Sequence, residues 1–179
     1  SLGTQTARRL LERDPARAIE PLDYVLSLTK AAIAEMRALI FELRPDSLDR
    51  EGLAAALTRQ AEAIAMRHNL QVNTSFCPEP DLPLAGKETL YRIAQEALNN
   101  ITRHANARRV TLELSVQEGT IVLAIGDDGV GFDPQQERPG HLGLRSMAER
   151  ALEAGGALEI ESSPGQGSRV TAKIPLLRS

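Results

Sequence analysis

The chain has 179 residues, 42% hydrophobic and 25% charged, with a formal net charge of −3, which is enough for one well-buried domain plus a small appendage. A slightly acidic chain with 3% aromatic residues and no Trp has neither the basic footprint of a nucleic-acid binder nor a stacking platform for single strands. The one cysteine, Cys77, has no second thiol for a disulfide or a zinc site.

No apolar run reaches the length of a membrane span, and no basic-then-apolar leader opens the sequence. The residues present are therefore expected to be cytoplasmic, with a longer parent free to carry a membrane tether. Thr4 to Arg13 reads as a helix, broken at Asp14-Pro15 because Pro cannot continue a helix interior. From Ala16 to Leu43 apolar residues recur three and four apart: Ile19, Leu22, Leu26, Ile33, Met36, Ile40 and Leu43, with Thr29 at the one missing position. A second row (Val25, Leu28, Ala32, Leu39) makes the stripe too wide for a two-stranded coil and suits a helical bundle. Two such hairpins complete a four-helix bundle, so a homodimer through these helices is expected. The competing reading has the long helix pack on its own domain. Pro45 through Gly52 reads as a linker, placing a boundary between a helical hairpin, 1–47, and a second domain, 48–179.

In the second domain the spacing predicts a helix over Leu53–Arg67 with Leu53, Ala56, Leu57, Ala61 and Ile64 inward, then a strand from Leu70 to Phe76 on the alternation of Leu70, Val72, Thr74 and Phe76. A proline-rich loop, Pro78–Pro83, precedes a helix over Lys87–Ala105 with Leu90, Ile93, Ala97 and Ile101 inward. Val110–Val116 alternates as a strand. Gln117–Thr120 reads as a hairpin turn and Ile121–Ile125 as the returning strand. A glycine-rich stretch, Gly126–Gly143, leads to a helix over Leu144–Ala154 ended by Gly155-Gly156. Strands Ala157–Ser162 and Arg169–Pro175 flank a turn. Helices on one side of a mixed, mostly antiparallel sheet make a two-layer α/β sandwich.

Four features carry candidate chemistry. On the second helix Glu96, Asn100 and His104 stand four apart on one face, with Arg103 beside them. A carboxylate, an amide oxygen and a cation in a row suit a magnesium ion, which prefers hard oxygen ligands and keeps several waters, together with its phosphates; a solvated helix face is the alternative. Asp127-Asp128-Gly129-Val130-Gly131 follows a strand directly. An acidic side chain there can accept the exocyclic amine of adenine while the glycines let backbone approach a flat ring; a plain turn is the alternative. Gly140-His141-Leu142-Gly143-Leu144 opens the third helix, where backbone amides favour an anion. Pro164-Gly165-Gln166-Gly167-Ser168 forms a turn between strands and does not match the Walker loop, since no Gly-Lys-Ser/Thr follows.

Taken in order, these features resemble the ATPase domain shared by gyrase, Hsp90 and histidine kinases, with its Bergerat-type (GHKL) nucleotide site, and most closely the sensor histidine kinases of the nitrate-sensor-like class. Arg92-Ile93-Ala94-Gln95-Glu96-Ala97-Leu98-Asn99-Asn100 through His104-Ala105 is similar to the N box, Asp127–Gly131 to the G1 box, and Gly140–Leu144 with Met147, Glu149 and Arg150 to the G2 box. Leu43-Arg44-Pro45 followed by Gly52-Leu53 resembles the junction between dimerisation helices and ATPase domain. The resemblance implies ATP and Mg2+ as ligands. Asn100 would ligate the metal, and Glu96, the catalytic candidate, would assist directly or through water. Arg103 and His104 would approach the phosphates and Asp127 would read adenine. Gly129 and Gly131 would shape the base pocket, Gly140, Gly143 and Leu144 would belong to a short lid, and Ser168 stands where the family often has Thr.

One departure matters. The family phosphorylates a histidine on its first dimerisation helix for relay to a response regulator receiver domain, whereas the histidines here are His68, His104 and His141. The chain is thus expected to bind nucleotide without autophosphorylating. Gln5 lacks the preceding acidic residue that would mark a phosphatase glutamine. Two other functions compete: an ATP-binding switch of the serine-kinase anti-sigma type, against which the heptad-bearing hairpin argues, and a dimerisation module with a degenerate pocket.

Overall fold

Where the sequence suggests a linker, a helix forms. The computed structural model describes residues 45–134 and 142–176, together with the helical positions Leu22 and Leu26. The chain divides into two compact units, Ser1–Pro45 and Asp46–Ser179. The hairpin expected over residues 4–43 lies outside the described residues except for Leu22 and Leu26, which are helical and 43% and 50% exposed.

Helix α1 spans Pro45–Glu51, beginning on a residue that fits the first helical position because its missing N–H has no partner there anyway. Its Leu48 is only 1% exposed, so the expected linker is anchored in the core by one leucine. Gly52 stops it: the Gly52 N–H donates to the Leu48 carbonyl at 3.1 Å while its φ of +84° turns the chain, a conformation that costs a residue with a Cβ dearly. Helix α2, Leu53–His68, starts at once. With no side chain at Gly52 to cap it, the Ala54 N–H donates to Glu79 Oε2 at 3.1 Å. Glu79 also lies 2.8 Å from Lys87 Nζ. The inward positions Leu53, Ala56, Leu57, Ala61 and Ile64 are all buried.

Strand β1 is Gln71–Phe76, with Val72 and Phe76 half-buried and Thr74 exposed rather than inward. Helix α3, Leu84–Asn100, starts earlier than expected because Pro83 can cap it with its carbonyl, which accepts from the Gly86 and Lys87 N–H groups. Its inward residues Leu90, Ile93 and Ala97 are buried, as is Ile101 just beyond. The helix does not continue as α to Ala105: Ile101–Ala105 forms a π turn. Strand β2 is Arg109–Gln117 and β3 is Thr120–Asp127. Val116, at the end of the alternating row, is exposed. Helix α4 spans Leu142–Glu153. It ends where Gly155 N–H donates to Leu152 O and Gly156 N–H to Ala151 O, both at 2.9 Å, the paired bonds of a Schellman stop. Strands β4, Ala157–Ser162, and β5, Ser168–Pro175, complete the unit.

The sheet order is β1-β2-β3-β5-β4, with β1 and β2 parallel and every other pair antiparallel. Helices α2, α3 and α4 cover one face, with α2 on β1, α3 on β3 and β5, and α4 on β4 and β5. This is the expected two-layer sandwich. Alternation puts Val110, Leu112 and Leu114 of β2 and Ile121, Leu123 and Ile125 of β3 under the helices, nearly all without solvent contact. The register pairs Val110 with Asp127, and Asp127 with Ser168. Asp127 therefore continues the helix-covered row of β3, and Asp128 starts the opposite one.

Candidate functional site

The last turns of α3 and the first turn of α4 meet through a glycine. Glu96 and Asn100 lie one turn apart near the C-terminal end of α3, both half-buried. Gly143, the second residue of α4, faces them. A Cβ there would collide with Glu96 Oε1, sit 3.1 Å from Glu96 Cδ and lie 3.3 Å from Asn100 Nδ2. Only a residue without a side chain lets the α4 backbone come this close, so the amides at the start of that helix stand beside the carboxylate and amide of α3. Those amides have no intrahelical acceptor and favour an anion. Gly143 and Leu144 are expected to belong to a short lid, with the helix beginning at Leu144 and Gly143 ahead of it. They lie within its first turn instead, and Leu144 is half-buried there. Gly140 lies outside the described residues.

Arg103 and His104 fall in the π turn and are exposed. A π turn inserts a residue into the helical cycle. The four-residue step from Asn100 to His104 is therefore not the step from Glu96 to Asn100, and the shared face expected for all three holds for the first two only. The turn ends on Ala105, whose carbonyl accepts the Val130 N–H at 2.7 Å. A Cβ at Gly129 would strike that same carbonyl and lie 2.8 Å from Ala105 Cβ. The loop after β3 is thus docked on the end of the helix that carries Asn100.

Asp127 closes β3 on the helix-covered side. Its Oδ1 accepts the Gly129 N–H at 2.8 Å. Burial pushes its carboxyl above the ordinary carboxylate range, opposed by hydrogen bonds from the Gly129 amide and the Ser168 hydroxyl and by the Ser168 amide, while Asp128 nearby adds to the rise. A half-buried carboxylate held by neutral donors, with no ion pair among the described residues, keeps acceptor capacity for a ligand. Gly131 has a φ of +58°, and a Cβ on it would collide with the Ser163 carbonyl and reach 2.7 Å from that of Gly167. Both conformation and space therefore require glycine.

Ser162 is a residue that sequence reasoning does not single out. Its hydroxyl accepts the Phe132 N–H at 2.8 Å, lies 3.0 Å from the Gly167 carbonyl it can donate to, and is 3.1 Å from Ser168 Oγ. The doublet of serines before Pro164 was the available signal, but which of the two faces inward depends on register.

A separate cavity of about 430 Å³ opens on the other face of the sheet, where alternation places Arg109, Thr111, Gly126, Glu161 and Arg169. Asp127 and Ser168 form the wall between this hollow and the helix-covered site. Neither Glu96 nor Asn100 lines it.

Magnesium suits the residues present. Glu96 and Asn100 offer hard oxygens one turn apart, in a space that exists because Gly143 has no Cβ, and two protein ligands suffice for an ion that retains its waters.

Known proteins resemble this chain over most of its length. Residues 85–178 match the family described as histidine kinase-, DNA gyrase B-, and HSP90-like ATPase, and residues 1–48 match a family described as histidine kinase. An uncharacterised sensor-like histidine kinase of Chloroflexus aurantiacus is 35% identical over 178 residues, covering 94% of this chain and 30% of that protein. The sensor histidine kinase LiaS of Bacillus subtilis is 32% identical over 160 residues, covering 89% of this chain and 44% of LiaS. The chain thus spans less than half the length of these relatives. The histidine kinase domain of the blue-light activated kinase from Erythrobacter litoralis EL346 superposes with a TM-score of 0.60 at 28% identity, covering 69% of this chain and 65% of that one. None of these names supports the anti-sigma alternative. From its fold, its paired helix termini and these matches, the chain belongs to the histidine kinase-, DNA gyrase B- and HSP90-like ATPase family, among the sensor histidine kinases.

Proposed function

We propose that the unit Asp46–Ser179 binds ATP with magnesium and presents its γ-phosphoryl group to a histidine, as the catalytic part of a sensor kinase that passes phosphate to a response regulator receiver domain. The observation that carries this reading is the meeting of Glu96 and Asn100 with Gly143, on the same side of the sheet as Asp127. Asn100 and Glu96 would hold the metal, which when bound neutralises phosphate charge. The carboxylate of Asp127 accepts the adenine amine, with Gly129 and Gly131 shaping the base pocket. Arg103 and His104, exposed on the π turn, are free to swing toward the phosphates, while Gly143 and Leu144, with Gly140 before them, form the wall at the start of α4. Ser168 steadies Asp127. Catalysis in such a site is positioning and charge neutralisation rather than covalent work.

The same reading makes residues 1–47 a dimerisation hairpin joined to an ATP-binding domain over 48–179. The exposure of Leu22 and Leu26 supports a seam that a second copy covers. Residues 1–48 contain no histidine, so the chain as it stands is expected to bind nucleotide without labelling itself. No helix among the described residues is long and apolar enough to cross a membrane.

The test is a thermal-shift and calorimetric titration with a non-hydrolysable ATP analogue. A ligand that prefers the native state raises its melting temperature, and the rise should require magnesium. Asn100→Asp should disturb the magnesium dependence. An equal shift with and without the metal would remove Asn100 and Glu96 from the account, and no shift at all would remove the nucleotide.

A further inference from the structure

Ser162, Ser168 and Asp127 stand in one row across three strands: Ser162 pairs with Ser168 between β4 and β5, and Ser168 with Asp127 between β5 and β3. Directly paired residues point to the same side, so all three side chains continue the helix-covered face. We propose that Ser162 is a positioning residue for base recognition, holding the Asp127 carboxylate through Ser168 and joining it to the start of the glycine-rich segment at Phe132. This rests on the reading of Asp127 as the carboxylate that accepts adenine.

The proton count shows how the row works. A hydroxyl has one proton to give and two lone pairs. The Phe132 amide fills one lone pair of Ser162 from a distance of 2.8 Å. Ser168 stands beside Asp127 in the register, and its hydroxyl holds the Asp127 carboxyl down as a donor does; a proton so used by the charged carboxylate is not available elsewhere. Ser168 Oγ, 3.1 Å from Ser162 Oγ, can then only accept from Ser162. If Asp127 is neutralised, the row reverses: Ser168 is free to donate to Ser162, and the Ser162 proton turns to the Gly167 carbonyl 3.0 Å away. The Gly167 backbone in turn packs against Asp127, since a Cβ on Gly167 would run into the Asp127 carbonyl. One hydroxyl therefore links the charged state of the base reader, the turn before β5 and the first amide beyond Gly131. Loss of the Ser162 oxygen removes the acceptor of the Phe132 amide and leaves Ser168 free to rotate away from Asp127.

The experiment measures, in the full chain with magnesium, the affinities of matched adenine and guanine nucleotide analogues for the natural chain and for Ser162→Ala, Ser162→Thr and Asp127→Asn, with the Asp127 carboxyl titration followed by NMR. Ser162→Ala should weaken the adenine analogue about tenfold, the order expected for one hydrogen bond, with little change for the guanine analogue. It should also move the Asp127 titration upward as a donor is lost, and Ser162→Thr should restore both. A packing role alone would weaken both nucleotides equally and leave the titration in place. An unchanged adenine-to-guanine ratio in Ser162→Ala overturns the proposal. Where Asp127→Asn abolishes that ratio and Ser162→Ala does not, the relay alone fails; where Asp127→Asn also leaves it intact, the assignment of Asp127 fails. Should Ser162→Ala not fold, Ser162→Cys keeps the volume with a weak donor and is expected to behave as the alanine variant would; a normal ratio there overturns the relay equally.

Discussion

Asp127 and Asp128 are neighbours at the end of one strand, yet they serve opposite faces of the sheet. On the helix-covered face Asp127 is half-buried, and burial lifts its carboxyl above the ordinary range. On the open face Asp128 is exposed. Its Oδ1 accepts the Arg108 and Arg109 backbone N–H groups at 2.8 Å each, and these bonds, that from Arg109 foremost, hold its carboxyl below the ordinary range. Two ion pairs also lie on the open face, Arg169 with Glu113 and Lys173 with Glu159, both at 2.6 Å. A carboxylate that takes two backbone amides on one oxygen ties the strand end to its neighbour. One kept from water, with neutral donors and no cation, retains capacity for a ligand. On the proposed reading the same residue type is structural on one face and binds a ligand on the other, and what separates the two is which donors the register supplies.

If the chemistry depends on the helix-covered face, separating that loop from the helices should have the largest effect. Gly129→Ala places a Cβ on the Ala105 carbonyl, which also accepts the Val130 N–H, and backbone cannot yield as a side-chain tip can. A loss of about 2–4 kcal/mol in urea denaturation and of all measurable ATP-analogue binding is expected. On the open face Gly126→Ala meets the Thr111 hydroxyl at 3.0 Å, with the Ser168 carbonyl and Arg169 guanidinium at ordinary contact distance, and should stay within about 1 kcal/mol with binding retained. Similar losses for the two variants would erase the distinction between the faces.

The two aspartates give the next test, and the signs differ. For Asp127 the folded value exceeds the unfolded one, so the native state holds the proton longer. Its effect on stability is most favourable in acid and declines as pH rises through the folded value. Asp127→Asn should therefore leave the melting temperature at pH 7–8 unchanged or higher, with the advantage vanishing in acid, while ATP-analogue affinity falls on the order of a hundredfold through loss of a charged acceptor in a half-buried site. For Asp128 the folded value is depressed. Its stabilisation is present above the unfolded value and is lost as pH falls through the folded one. Asp128→Asn should lower the melting temperature at pH 7, by less as the pH drops, and leave affinity within about threefold, as for a group that touches no ligand. Melting curves that shift in the same direction across the pH range would contradict the contrast.

How far the sequence announces this difference depends on what kind of information each residue needs. The inward faces of α2 and α3 were legible because Leu53, Leu57 and Ile64, and Leu90, Ile93 and Ala97, repeat at helical spacing. Helix α1 was not, because Leu48 is the one residue known to be buried in it among those described and a single position has no period. The π turn was invisible for a related reason: Ile101 and Ala105 fit an uninterrupted helix by spacing, and the extra residue shows only in the backbone bonds. Within the site, Glu96, Asn100 and Asp127 stand out by residue type and order. Ala105 acts through its carbonyl, which every residue has, and Ser162 acts through a register that pairs strands far apart in the chain. Periodicity reports what faces the core, whereas hydrogen-bond partners across strands are set only when the sheet forms.

The smallest effect should come from the open-face ion pair. Arg169 and Glu113 are 42% and 47% exposed, so solvent screens their attraction and holding two long side chains together costs entropy. Glu113→Gln should change stability by less than about 0.5 kcal/mol, by still less in 1 M salt, where the screening length falls to about 3 Å. The substitution also probes the cavity behind Asp127, since it frees the Arg169 guanidinium on the rim of that hollow. If the hollow is only a gap left where Gly126 carries no side chain, ATP-analogue affinity should stay within about twofold of the natural chain, the scatter of a surface substitution remote from the ligand. A larger change would mean that strand β3 transmits a charge on its open side to the carboxylate on its covered side, and the two faces would then form one site rather than two.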